Sequence, residues 1–167
     1  MKSPLLAPAF LVGLILLVFS GCAVVDKGRT QTVVVRSVPE GATGLINGIP
    51  VGKTPFKIKL SRISAATIEL RKTGFENAQV VVLPVANEYN KHFLRWGVDY
   101  DLGAMTDLTP SEMNIALRPA LAEEDHGDSF QEMNNRVLKA DAMLAAKQIS
   151  PQDHKYIVDQ IVQYYAR

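Results

Sequence analysis

The chain is poor in the residues that build most reactive or cross-linked sites. Cys22 is the only cysteine among 167 residues. A lone thiol excludes an intrachain disulfide, and one thiolate cannot furnish a Cys-rich zinc shell. Neither sign of charge is in excess: 18 Lys and Arg stand against 17 Asp and Glu, and leaving out the first 21 residues removes one further base and no acid. A chain this close to neutrality has no general electrostatic drive toward nucleic acid or anionic lipid. Long hydrophobic runs are missing too. The apolar stretch Leu5 to Phe19 covers 15 residues, interrupted by Pro8 and Gly13, short of the ~20 a membrane-spanning helix needs. There is no Gly-x-Ser-x-Gly elbow, and His92 and His154 have no partner at metal or triad spacing. The remaining composition, 47% hydrophobic and 21% charged, argues against global disorder.

Three stretches invite a chemical reading and lose it on spacing. Gly48 to Thr54 looks superficially like a phosphate loop, but three residues separate its glycines, one fewer than that loop requires. Pro50 also removes an N–H from a loop whose purpose is to offer N–H groups, and a strand pattern follows rather than a helix. Asp99 and Asp101 would share a face only on a strand; on a helix they diverge, and capping or turn hydrogen bonds account for them. The acidic run around His126 lacks the alternation and central glycine of a calcium loop and reads as solvated linker. The expectation is therefore a non-enzyme with no cofactor or metal and no nucleic-acid partner.

The N-terminus carries an address. Lys2 precedes the apolar run, and Val18-Phe19-Ser20-Gly21-Cys22 closes it with small residues before a cysteine. This resembles the bacterial lipobox, in which the cysteine is lipidated and becomes the new N-terminus; Phe19 stands where leucine is usual. The alternatives are a buried free cysteine or an uncleaved anchor helix. The resemblance implies a signal peptide over 1–21, lipidation at Cys22, and attachment by more than one acyl chain, which holds stably where one chain does not. Ala23, rather than Asp, follows the cysteine; by resemblance to enterobacterial sorting this implies the outer membrane, facing the periplasm. Residues 22–30 are short and polar and read as a tether.

Residues 33–83 form the organising stretch. Pro39-Glu40-Gly41 is a turn, and Asn47-Gly48 can adopt the positive φ angles of a type I′ hairpin turn. Phe56 to Leu60 and Ala66 to Arg71 alternate apolar with polar, so each buries one face. Three consecutive valines, Val33 to Val35, leave the inward face of the first strand open and fit a strand covered on both sides. Gln79 to Leu83 is a further strand. Pro39-Glu40-Gly41-Ala42, Ile46-Asn47-Gly48, Val51-Gly52-Lys53-Thr54-Pro55 and Lys72-Thr73-Gly74-Phe75 together resemble the PEGA domain, over about 50 residues. The resemblance implies an extracytoplasmic β-sandwich-like module. It implies no chemistry, because a fold does not fix function.

Beyond Leu83-Pro84 the pattern changes. Phe93, Gly97, Tyr100 and Ala104 fall at helical spacing and predict one short inserted helix. Thr106 to Ser111 reads as a turn around Pro110, and Met113 to Leu117 as a closing strand. Residues 119–129 read as a linker. Ser129-Phe130-Gln131-Glu132 is a capping-box pattern opening a helix to about Lys147 that buries Met133, Val137, Ala140 and Leu144. Ser150-Pro151 opens a second helix, with Ile157, Val158, Ile161 and Tyr165 on its apolar side. Leu138, Leu144 and Ile149-Ser150 resemble the SHOCT motif, a C-terminal helical pair, although its turn glycine is absent and His154 takes its aromatic position.

The expected architecture is α+β: a small antiparallel β-sandwich-like module with a helical insertion over 31–118, then an αα-hairpin over 130–167. The expected role is that of a lipid-anchored envelope protein docking a protein partner. The alternative is a binder of cell-wall glycan or another anionic envelope polymer. Lys53, Lys57, Lys59 and Arg71, with Arg62 and Lys72, supply basic faces for either, and Trp96 and Tyr100 are candidates for stacking.

Overall fold

The computed structural model describes residues 23–92, 97–120 and 129–166. Cys22, Trp96, His126 and most of the expected linker lie outside that set. Among the described residues the elements are α1 (Ala23–Lys27), β1 (Thr30–Val38), β2 (Thr43–Ile46), β3 (Ile49–Lys53), β4 (Phe56–Ser61), β5 (Ala66–Arg71), β6 (Ala78–Ala86), α2 (Glu88–His92), α3 (Val98–Asp101), β7 (Thr106–Thr109), β8 (Glu112–Ala116), α4 (Ser129–Ala145) and α5 (Pro151–Tyr165). This is an α+β chain. Its strands form a three-stranded sheet, β4-β1-β8, and a five-stranded sheet, β3-β2-β5-β6-β7. The chain shuttles between the sheets, as a sandwich requires. The expected all-antiparallel arrangement fails at one pair: β1 and β8 run parallel, Val34 opposite Glu112 through Val38 opposite Ala116. More than 70 residues separate these strands, so no hairpin constrains their direction.

Two compact units partition the chain, residues 33–58, 66–82 and 110–167 in one and residues 1–32, 59–65 and 83–109 in the other. The first holds most of the buried apolar side chains. Val33 and Val35 are fully buried while Val34 is not, so the valine run alternates after all. Ile68 and Leu70 of β5 face inward, as their period-2 pattern predicts. The Phe56 ring lies directly over Gly44, leaving no room for a Cβ there, so one sheet's face closes on the other's. Asn47 and Gly48 take φ of 50° and 83° in the turn joining β2 to β3, the positive values expected of that dipeptide. Asn47 does more: its side chain accepts from the Thr67 N–H at 2.9 Å, tying the hairpin to β5.

α4 and α5 pack as the expected hairpin. Ser150 is the N-cap of α5, accepting from the Asp153 N–H at 3.1 Å, with Pro151 at the first helical position. At the end of the preceding helix Lys147 occupies the left-handed region (φ 57°) where a glycine is customary, and the Gln148 N–H returns to the Met143 carbonyl at 2.9 Å.

The second unit departs further from expectation. β6 runs through Pro84 rather than ending there. Its pairing with β5 stops at Val82, and from Leu83 onward it pairs only with β7; proline is tolerated on a strand with one free side. Thr106–Thr109, expected as a turn, is that partner strand. The single inserted helix is instead two short helices. Gly97 takes a positive φ, 102° with ψ −177°, a conformation reserved for glycine, and only one helical turn follows it. Tyr100 is 46% exposed while Ala104 is fully buried, so the predicted shared face does not form. Asn87 is buried and donates to the Ala104 carbonyl at 2.9 Å while accepting from the Tyr89 N–H at 3.1 Å. Arg62 Nη1 donates to Gln31 Oε1 at 2.7 Å and to the Thr106 carbonyl at 2.9 Å, and it pairs with Asp107.

The expected tether is also structured. Ala23 is buried and opens a helix rather than a loose spacer. The Asp99 carboxylate accepts from the Ala23 and Val24 N–H groups at 3.3 and 3.1 Å, Tyr89 donates to Asp26 at 2.7 Å, and Lys27 pairs with Glu88 at 3.3 Å.

Candidate functional site

Three turns of the larger unit meet at one place. Thr54 is 4% exposed. Its hydroxyl accepts from the Ala42 N–H at 3.0 Å and lies 2.6 Å from the Ser37 hydroxyl, which lies 2.7 Å from the Pro39 carbonyl. Backbone bonds reinforce the junction, Gly41 N–H to the Thr54 carbonyl at 3.0 Å and Thr54 N–H to the Ala42 carbonyl at 2.9 Å. A buried hydroxyl with this many partners explains the need for Thr at that position. Lys72 then donates to the Glu40 carbonyl and binds the third turn to the first.

That third turn receives the helical hairpin. Gly74 sits at φ +85°, and a Cβ there would stand 3.2–3.3 Å from Ile149, Ile157 and Met143. Phe75 and Tyr156 bring their ring centroids to 6.0 Å. The half-buried Lys72 ammonium pairs with Asp153 at 3.1 Å. The hairpin therefore packs on the β module. The Ala120 N–H donates to the Gly74 carbonyl at 3.0 Å, so the first residues of the expected linker belong to the fold.

Beside this junction lies an open cleft of about 390 Å³. Thr43, Lys53, Arg71, Lys72, Thr73 and Asn77 line its β side, and Gln148, Ser150 and Asp153 its helical side. Lys53 and Arg71 converge because Thr43 pairs with both across neighbouring strands. Glu69 clamps Arg71 in a two-point bond at 2.8 and 2.9 Å. The hydrogen bond from Arg71, aided by its charge, holds the Glu69 carboxyl below its ordinary range and raises Arg71 in return. Lys53, Arg71 and Lys72 against Glu69 and Asp153 leave one net positive charge. Apart from Gly41 and Ile149, the remaining lining is hydroxyl and amide, suited to hydrogen bonding with an extended polar ligand.

Of the residues singled out from sequence, this cleft gathers Lys53, Arg71 and Lys72. Lys57 and Lys59 are exposed on β4, in the other sheet, so the basic residues do not form one face. Arg62 is buried on Asp107 and leaves the basic surface altogether. Tyr100 is half-exposed on α3 and is not among the residues lining the cleft. Asp99 accepts from two backbone N–H groups, in keeping with the hydrogen-bonding role expected of it. His154, which has no partner at metal or triad spacing in the sequence, meets Asp141 at 2.7 Å across the hairpin. Thr43, Asn77, Gln148 and Asp153 were not legible as site residues; only the Ser150 N-cap signal lay nearby. Among the described residues no cluster of three His, Cys, Asp or Glu side chains is placed to hold a metal ion.

The larger unit is thus a set of tight turns that seat a helical hairpin, with an open, largely polar cleft beside them. Residues 30–95 match the PEGA domain family. The match includes all three turns of the junction; β7 and β8, which complete the two sheets, and the hairpin lie beyond it. It fits a non-catalytic, envelope-associated module. No curated protein and no solved structure matches the chain.

Proposed function

We propose that the protein is a lipid-anchored lipoprotein of a bacterial cell envelope, held in the outer membrane through Cys22, whose PEGA module is a non-catalytic docking site for a partner protein. The cleft beside the three PEGA turns carries the reading. Its single surplus positive charge and its hydroxyl and amide lining suit an acidic, extended peptide segment of the partner. A second reading, an acidic or hydroxyl-rich envelope glycan, draws on the same lining, since Thr43, Thr73, Asn77, Gln148 and Ser150 match the hydrogen-bonding needs of sugar hydroxyls.

The test is in-cell photo-crosslinking from positions 53 and 73 of the full-length chain, followed by mass spectrometry. A discrete envelope protein captured from both positions, and lost with Cys22→Ser, supports docking. Glycan adducts alone transfer the site to the second reading. No adduct above the Cys22→Ser control overturns both.

A further inference from the structure

The segment that follows Cys22 is fixed to the fold, and large apolar side chains are exposed near it. Ala23 is buried, and Asp99 of α3 accepts from the N–H groups of residues 23 and 24. Asp26 and Lys27 are held in turn by Tyr89 and Glu88. Near this clamp three large apolar side chains are mostly exposed. Val25 is 76% exposed, Val98 69% and Ile63 60%. Val98 precedes Asp99 on α3. Ile63 lies against Gly103, just past the end of that helix, at 2.5 Å from the position of a Cβ there. All belong to the smaller unit. Scattered apolar residues are ordinary, but a cluster around one chain exit marks an interaction surface.

What covers it follows from where the chain goes. One residue before Ala23 is Cys22, and the apolar run Leu5 to Phe19 ends three residues before that. We propose that the surface carrying Val25, Ile63 and Val98 rests on the lipid bilayer, so that the protein is seated on its membrane in one orientation rather than swinging on a tether. The proposal rests on the lipoprotein reading of Cys22. With no slack between the lipid and Ala23, the acyl chains and this patch must reach the bilayer together. Side chains of this kind enter the headgroup boundary to a depth of about 5–10 Å. Asp99 acts as a positioning residue: it couples the lipid attachment point to the patch.

Lipidated full-length protein, purified from a bacterial host and reconstituted in phosphatidylethanolamine–phosphatidylglycerol vesicles, tests this. Lipidation blocks Cys22, so Val25→Cys, Ile63→Cys, Val98→Cys and Lys57→Cys each carry one reactive thiol for an environment-sensitive fluorophore. Mass spectrometry of the N-terminal peptide reports the diacylglyceryl group on Cys22. Labels at 25, 63 and 98 are expected to be quenched several-fold more by nitroxide-bearing lipids than the label at 57. Asp99→Ala is expected to abolish the difference at 98 and 63 while lipidation and circular dichroism persist. An unmodified Cys22 overturns the lipoprotein reading and this proposal with it. A lipidated Cys22 with all four labels equally open to aqueous quencher overturns the seating alone. Labels shielded from water yet untouched by lipid quencher also overturn it, and point to a second copy or a partner on the patch.

Discussion

Gly74→Ala isolates the contact between the PEGA turn and the helical hairpin. Two costs are expected. The backbone is at φ +85°, where an L side chain is strained by about 1–2 kcal/mol. The new Cβ would also stand 3.2–3.3 Å from Ile149, Ile157 and Met143, all side-chain ends able to give by a few tenths of an ångström. Crowding of that kind costs about 1 kcal/mol, the low end for overpacking a core. Gly48→Ala supplies the reference, because Gly48 has the same sign and nearly the same size of φ, 83°, with nothing near its missing Cβ. It should show the strain alone. Urea unfolding of the chain from residue 22, carrying Cys22→Ser, measures both; Gly74→Ala is expected to exceed Gly48→Ala by about 1 kcal/mol. Native-state hydrogen exchange adds location: the excess should appear at the amides of Ile157 and Ile161 and leave Ile68 and Leu70 protected by the remaining stability. Equal losses for the two substitutions, with unchanged exchange in the second helix, would refute the packing of the hairpin on the turn.

Three further outcomes follow from single side chains. Thr54→Val keeps the shape but removes the hydroxyl that pairs with the buried Ala42 N–H and with Ser37; it should cost about 1–3 kcal/mol in urea unfolding, and a loss under half of that would mean the hydroxyl is dispensable. Lys147→Gly relieves a non-glycine residue at φ 57° and should raise stability by up to about 1 kcal/mol, whereas any destabilisation would count against the left-handed cap. Glu69 should titrate below the ordinary glutamate range in a carboxyl-carbon NMR titration, because Arg71 hydrogen-bonds its charged form. Its folded value is depressed, so the pair's contribution is complete above the unfolded value and disappears as pH falls through the folded one; Arg71→Gln should return the midpoint to the ordinary range.

The β module was legible because its signals are local. Asn47-Gly48 dictates its own turn, and Ala66 to Arg71 writes its inward face in a period of two. Ser150-Pro151 names the start of a helix within two residues. The errors have the opposite cause. Thr106 to Thr109 is too short to carry a period and becomes a strand only because the second half of β6 lies alongside it. Pro84 reads as a terminator until the loss of the β5 neighbour at Val82 is known. Gly97 breaks the helical spacing that Phe93, Tyr100 and Ala104 suggest, since its positive φ of 102° is a glycine conformation that no periodicity reports.

The site divides along the same line. Basic residues were visible, but a count of cations along strands says nothing about which sheet each strand joins. Lys53 and Arg71 meet because both strands pair with Thr43, while Lys57 and Lys59 alternate just as regularly on a strand of the other sheet. Arg62 looked like its neighbours and is buried on Asp107, 45 residues away. The helical half of the cleft, Gln148 to Asp153, arrives from more than 70 residues beyond Lys72. Its arrival depends on Gly74, a residue that the β pattern explains as a turn and that the hairpin requires to be bare. One glycine thus serves two constraints, backbone sign and hairpin clearance, and only the first can be read from sequence. The cleft is therefore a property of the module and hairpin together, so the matched domain expressed without residues 129–166 should retain Lys53 and Arg71 but lose the Asp153 wall and the recognition built on it.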